Sequence, residues 1–123
     1  MKLAISIAGQ SIESPFDARF GRAASFCLVE TDSGVWTVHA NPALSASGGA
    51  GVQAAQFIAA LGAQAVVSGA YGPKAYATLS AANVQRLLAP GHQACSAADI
   101  LAAFVAGRLT EADGASHGGH HGG

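Results

Sequence analysis

The fold is decided by residues 65–82, AVVSGAYGPKAYATLSAA. Residues 65–67 are an apolar run without polar alternation, which predicts a strand buried on both faces. The turn at 68–72 holds two glycines, which allow another group to approach the backbone closely. Pro73 suits the first position of a helix. The stretch therefore predicts a strand, a turn and a helix. Such a turn either binds an anion through free backbone N–H groups or is a plain connection.

Length and composition predict a single cytoplasmic domain. The chain has 123 residues, half of them apolar and 11% charged, which is enough for a real core. The net charge of −1 provides no basic field for nucleic acid. Cys27 and Cys95 are too few for a disulfide scaffold and indicate free thiols in a reducing cytoplasm. No apolar run approaches transmembrane length, so no membrane partner is expected.

The middle of the chain is free of carboxylates. No Asp or Glu occurs between Asp32 and Asp99, and the only full charges in that span are Lys74 and Arg86. A site built there would suit an anionic ligand and could not hold Mg²⁺ or Ca²⁺ through carboxylates.

The order of elements changes near residue 41. Three strands are predicted first, at 2–8, 25–31 and 35–40, with Gly34 in the left-handed conformation between the last two. Helices then alternate with strands at 65–67 and 84–89, and Ser96 with Asp99 predicts a capping box at the last helix. The pattern predicts an α/β fold with a mixed five-stranded sheet, strand order 3-2-1-4-5 and helices on both faces. The folded domain is expected at 1–110, followed by a disordered Gly/His-rich tail at 111–123.

Five short motifs in the same order resemble those of the dinitrogenase iron-molybdenum cofactor biosynthesis family. They are FGRA at 20–23, NP at 41–42, GGAG at 48–51, SGAYGPKA at 68–75 and AGRL at 106–109 ahead of a His-rich tail. The resemblance covers residues 1–110. It implies a ribonuclease-H-like three-layer α/β/α fold without nuclease activity. It also implies a carrier of an iron–sulfur or molybdenum–iron–sulfur cluster, with nitrogenase assembly proteins as partners.

Other functions have weaker signals in this sequence. Residues 49–54 match a relaxed dinucleotide pattern, but they do not directly follow a strand and no acid lies about 20 residues further on. A nuclease of this fold needs several carboxylates for two metals, and Glu30 and Asp99 are isolated. The sequence therefore predicts a binding or carrier protein rather than an enzyme. The alternative is a small regulatory α/β protein that binds an anion or nucleotide without a metal cluster.

The candidate site is a meeting of three loops, 48–51, 69–73 and 91–96, because each precedes a helix whose N-terminus favours an anion. Soft anchoring is expected from His92 and Cys95, since imidazole and thiolate suit iron–sulfur clusters; the alternative is a solvated histidine and a half-buried thiol. The predicted cofactor-binding residues are Arg22, Gly49, Gly51, Gly69, Gly72, His92 and Cys95. The predicted metal ligands are His92, Cys95, His117, His120 and His121.

Two arginines are open to two interpretations, and two other residues have expected structural roles. Arg19 and Arg22 either pair locally with Asp17 or Glu13 or present charge to an anionic cluster. Arg19 also stands where the family often has a histidine, so one metal ligand is absent there. Cys27 is expected to be a small core residue, and His39 a residue on the strand surface.

Overall fold

The computed structural model describes residues 1–89 and 95–112. Six strands and three helices lie in that part of the chain. The strands are β1 (Lys2–Ile7), β2 (Ser25–Glu30), β3 (Trp36–Ala40), β4 (Ala65–Ser68), β5 (Gln85–Leu88) and β6 (Thr110–Glu111). The helices are α1 (Ala50–Ala60), α2 (Pro73–Ala81) and α3 (Ala97–Val105). No helix in these ranges is long and apolar enough to cross a membrane.

The strands form one mixed sheet in the order β3-β2-β1-β4-β5-β6. β1, β2 and β3 pair antiparallel, whereas β4 is parallel to both β1 and β5. The structure therefore confirms the change from antiparallel strands to parallel strands linked by helices, and the predicted order of the first five strands. The ribonuclease-H-like assignment within this three-layer α/β arrangement stays a prediction.

The sixth strand corrects the predicted number of five. β6 pairs antiparallel with β5, with Thr110 opposite Leu88 and Glu111 opposite Leu87. The N–H of Ala112 donates to the carbonyl of Arg86 at 2.8 Å, and Ala112 is buried. Thr110 and Glu111 are exposed and carry no apolar alternation, so their strand depends on the open edge of β5 rather than on a local pattern.

Helices cover both faces of the sheet. In β1, Leu3, Ile5 and Ile7 join the core under α3, whereas Ala4 joins the core under α1 and α2. Tyr71, from the turn after β4, packs its ring against Phe20 at 5.4 Å between centroids. Alternate side chains of β1 thus point to opposite faces of the sheet, one covered by α1 and α2 and the other by α3.

The turns and the last helix cap also follow the sequence. Gly34 and Gly62 have φ values of +80° and +86°, the left-handed region in which glycine is favoured. At α3, the N–H of Asp99 donates to Ser96 Oγ at 3.2 Å. The N–H of Ser96 donates to Asp99 Oδ2 at 2.9 Å. The predicted capping box is therefore confirmed.

Candidate functional site: a pocket between two helix N-termini

A cavity of about 500 Å³ opens at the carboxyl ends of β1 and β4, on the side of the sheet covered by α1 and α2. We call it the α1/α2 pocket. Three segments line it: residues 18–21 after β1, residues 49–52 at the start of α1, and residues 70 and 72–75 after β4. Two of these segments carry the glycine turns that the sequence singled out.

Both helices that border the pocket begin without a side-chain cap. The N-cap residues are Gly49 for α1 and Gly72 for α2, and neither first turn contains an acid. The first N–H groups of a helix have no partner within the helix, and the helix dipole adds about half a positive charge there. The pocket therefore offers hydrogen-bond donors and positive potential to an anion.

Two cationic side chains add to that potential. Arg19 and Lys74 line the pocket, and none of the lining residues within 1–89 and 95–112 is Asp or Glu. Lys74 is exposed in the first turn of α2. Arg19 has 71% of its side chain exposed and forms an ion pair with Asp17, Nη2 to Oδ2 at 2.9 Å. That hydrogen bond holds the pKa of the Asp17 carboxyl below its usual range and raises the pKa of Arg19.

The segments that line the pocket pack closely because small residues lie at their contacts. A Cβ built on Gly69 would collide with the Cβ of Ala18. A Cβ on Gly51 would lie 3.1 Å from that of Ala75, across the junction of α1 and α2. Gly72 is different, because a Cβ there would meet nothing within 4 Å. Gly51 and Gly69 thus serve close packing, whereas Gly72 leaves open space at the pocket.

The structure brings together only part of the predicted site. Gly49, Gly51 and Gly72 line the pocket, whereas Gly69 packs behind it against Ala18. Arg22 is exposed, does not line the pocket, and forms no ion pair within 1–89 and 95–112. The cations at the pocket, among the described residues, are Arg19 and Lys74. The predicted set of cofactor-binding residues lacked both, although the sequence left open that Arg19 presents its charge to an anion. Lys74 could have been found from its place directly after Pro73, at a predicted helix N-terminus.

The third predicted loop lies on the other side of the sheet in its described part. Cys95 packs against the core under α3, and its carbonyl accepts a hydrogen bond from Phe16 N–H at 2.8 Å. Ser96 forms a bridge with Pro15. The prediction that three loops share one opening therefore holds for two of them. Gly91, His92, His117, His120 and His121 lie outside the described residues.

The thiols are in environments that suppress the thiolate form. Burial raises the pKa of Cys27 to about 11, and the residue is fully buried, as a core residue should be. Burial also raises the pKa of the partly exposed Cys95, with a contribution from Asp99. Because the thiolate is the form that binds metals, both environments lower the population of that form in the metal-free protein. In the described residues, no three His, Cys, Asp or Glu side chains are grouped to hold a metal ion.

His39 lies on β3, where its Nε2 is 2.9 Å from Thr37 Oγ1 and its ring meets Phe57 edge-on at 6.3 Å. This is the strand-surface position that the sequence predicted, and it is not part of the pocket lining.

Comparisons with known proteins agree with this fold. The apo form of the orange protein from Desulfovibrio gigas is 29% identical with a TM-score of 0.88, over 94% of this chain and 96% of that one. An NMR structure from Thermotoga, described as a candidate NifB protein of the DUF35 family, is 27% identical with a TM-score of 0.81, over 96% and 98%. No curated protein matches the sequence. The profile of the family described as dinitrogenase iron-molybdenum cofactor matches residues 1–107, so the chain belongs to that family.

Proposed function

We propose that this protein is a carrier, not an enzyme, and that its cargo is an anionic iron–sulfur or molybdenum–iron–sulfur cluster held in the α1/α2 pocket. One observation carries the proposal. Two uncapped helix N-termini, Arg19 and Lys74 meet at a pocket whose lining, in the described part of the chain, has no carboxylate. Membership of the dinitrogenase iron-molybdenum cofactor family supports this class of cargo.

The size and chemistry of the pocket fit such a cargo. Its volume of about 500 Å³ lies within the range of roughly 300–1,000 Å³ typical of ligand pockets. Sulfur atoms of a cluster accept hydrogen bonds, and the pocket supplies backbone, guanidinium and ammonium donors. The open space at Gly72 allows a bulky group to approach the start of α2.

The lining also indicates how the cargo would be held. Among residues 1–89 and 95–112, none that lines the pocket is Cys or His, so the described lining offers no soft ligand. These residues would retain the cluster through charge and hydrogen bonds, and its release from them would break no metal–protein bond. Reversible retention of this kind suits a carrier. The ligand roles of His92 and Cys95 stay predictions, and the position of Cys95 under α3 argues against its contact with this pocket.

The family association supports the proposed partners, and the chemistry of the proposed cargo supports the proposed compartment. Nitrogenase cofactor assembly proteins are the partners that would load or receive the cluster. The cytoplasm is the proposed location, because a thiolate-rich or sulfide-rich cargo requires a reducing environment. A simple phosphate or nucleotide is the competing ligand class, since helix N-termini also bind phosphates.

Anaerobic reconstitution tests the proposal. The protein is incubated with ferrous iron and sulfide, or with a cofactor precursor, and examined by absorption and EPR after desalting. We expect a cluster spectrum in the parent and a large loss when Arg19→Ala and Lys74→Ala are combined. Arg108→Ala is the matched control, because Arg108 is an exposed cation beyond α3 and away from the pocket.

Two results would contradict the proposal. One is a parent protein that retains no cluster but binds a nucleotide or inorganic phosphate at the pocket. The other is equal cluster retention by the parent and by the double variant, because the pocket cations would then have no part in holding the cargo.

A further inference from the structure

Asp17 lies beside a pocket that we propose for an anion. The negative charge of its carboxylate is unfavourable for such a site. The residue is 8% exposed, and it is two positions from Arg19, which lines the pocket. A buried acid at this place needs a reason, because its charge repels the proposed cargo.

The hydrogen bonds of the Asp17 carboxylate are all with Arg19, through its side chain and its backbone N–H. Oδ1 accepts hydrogen bonds from the Arg19 backbone N–H at 2.9 Å and from Nε at 3.0 Å. Oδ2 accepts from Nη2 at 2.9 Å. The carboxylate therefore binds the side edge of the guanidinium in two places and fixes its plane.

Asp17 itself is fastened to the sheet. Its backbone N–H donates to the carbonyl of Ser6 at 2.9 Å, and Ser6 Oγ donates to the Asp17 carbonyl at 2.6 Å. The carbonyl of Ala18 accepts from Gly69 N–H at 3.1 Å. Ser6 is fully buried at the end of β1. The guanidinium is thus connected through a buried carboxylate to the carboxyl ends of β1 and β4.

This arrangement leaves one edge of Arg19 available. A guanidinium has five N–H donors, and Asp17 occupies two of them, on Nε and Nη2. The remaining Nη1 and Nη2 donors point away from the carboxylate and form a two-point fork. We propose that Asp17 is a positioning residue, which holds Arg19 so that this fork faces the anionic cargo; the inference rests on the function proposed above.

Positioning and simple charge predict opposite results for Asp17→Asn. If the carboxylate acts only through its charge, its removal makes the net charge near the pocket more positive, and the anionic cargo binds more tightly. If it positions Arg19, the long side chain becomes mobile and must be ordered by the cargo. Ordering one such side chain corresponds to a loss of roughly fivefold in affinity.

The measurement is anaerobic titration with a synthetic thiolate-ligated [4Fe–4S] dianion, followed by absorption. We expect Asp17→Asn to bind roughly fivefold more weakly than the parent. Asp32→Asn is the charge-matched control, because Asp32 is 89% exposed in the β2–β3 turn, and it should bind as the parent does. Binding of Asp17→Asn that equals or exceeds that of the parent would overturn the proposal.

A second pair of variants excludes a general loss of structure. Arg19→Lys keeps the charge but cannot form the fork. In the Arg19→Lys background, Asp17→Asn should no longer weaken binding, since nothing remains to be positioned. The same fivefold loss in both backgrounds would assign the effect to folding and overturn the proposal.

An NMR measurement examines the fixed side chain without any cargo. The Nε–H of Arg19 should show restricted motion in the parent, and Asp17→Asn should abolish that restriction. Arg22, exposed and without a described ion pair, is the reference for a mobile arginine. Equal mobility of Arg19 and Arg22 in the parent would overturn the positioning role. Absence of cluster binding in the parent, with Arg19 still restricted, would instead refute the carrier function and leave the positioning without a cargo.

Discussion

The helices on the two sides of the sheet begin in opposite ways. On one side, α3 begins with Ser96 and Asp99, which satisfy each other's backbone N–H groups. On the other side, α1 and α2 begin with glycines and have neither a capping side chain nor an acid in the first turn. The first arrangement supplies local stability from the chain itself. The second leaves the same donors available for a ligand, and both open ends lie at one pocket.

The two sides also separate two kinds of chemistry. Positive charge lies on the α1/α2 side, with Arg19 and Lys74 at the pocket. The partly exposed thiol of Cys95 lies on the α3 side, in contact with the core there. A site that attracts an anion and a site that offers a soft metal ligand are therefore different places in the described structure.

The largest expected effect on folding is at the packed side of the glycine turn. Gly69→Ser should lower the free energy of unfolding by about 1–3 kcal/mol, because its Cβ collides with Ala18. Gly72→Ser is the control in the same turn, with open space around its Cβ and a hydroxyl able to cap α2. Chemical denaturation compares the two. Equal stability of both variants would show that the close contact at Gly69 is not required.

A smaller loss is expected from the cap of α3. Ser96→Ala removes the acceptor for Asp99 N–H and should cost about 1 kcal/mol in unfolding free energy. Cluster retention after reconstitution should not change, since α3 begins on the opposite side from the pocket. A variant that remains stable but loses the cluster would place the cargo on the α3 side.

The smallest effect concerns the pH dependence of stability. The hydrogen bond from Arg19 lowers the folded-state pKa of Asp17 below its ordinary value of 3.8. The ionised carboxylate therefore stabilises the fold above that value, and this contribution disappears as pH falls through the lower folded-state pKa. Denaturation of the parent and of Asp17→Asn from pH 7 to pH 2 should show a stability difference that closes in acid. A difference that persists unchanged to pH 2 would exclude this ion pair as its source.

Most of the fold follows from local patterns in the sequence. Buried strands, glycine turns and the capping box each rest on residues adjacent in the chain, and the parallel crossovers have one favoured hand. The side of the sheet on which α3 lies does not follow from such patterns. α3 joins β5 to the antiparallel β6, so the handedness rule for parallel strands does not apply. Without that rule the sequence does not show that the loop before α3 lies on the opposite side from the pocket, and this is why the prediction placed that loop at the pocket.

The candidate site was predictable in its backbone but not in its charges. Gly49, Gly51 and Gly72 lie at the starts of helices, which the sequence indicates. The direction of an exposed arginine depends on its partners in space. The sequence offered the Arg19–Asp17 pair and an anion-binding role as alternatives, and Arg19 both forms the pair and lines the pocket. The contact of Asp17 with Ser6 joins more distant positions, which no local pattern predicts.

The central claim is that the cargo binds on the α1/α2 side, and one comparison tests it most directly. Iron content per chain is measured for Gly72→Asp, Gly72→Asn and Cys95→Ala after identical anaerobic reconstitution. Asp at position 72 would give α2 its own anion, as Asp99 does for α3, and Asn provides the same cap without the charge. We predict that Gly72→Asp retains little cluster, that Gly72→Asn retains more, and that Cys95→Ala equals the parent. Loss of the cluster in Cys95→Ala with full retention in Gly72→Asp would contradict the account.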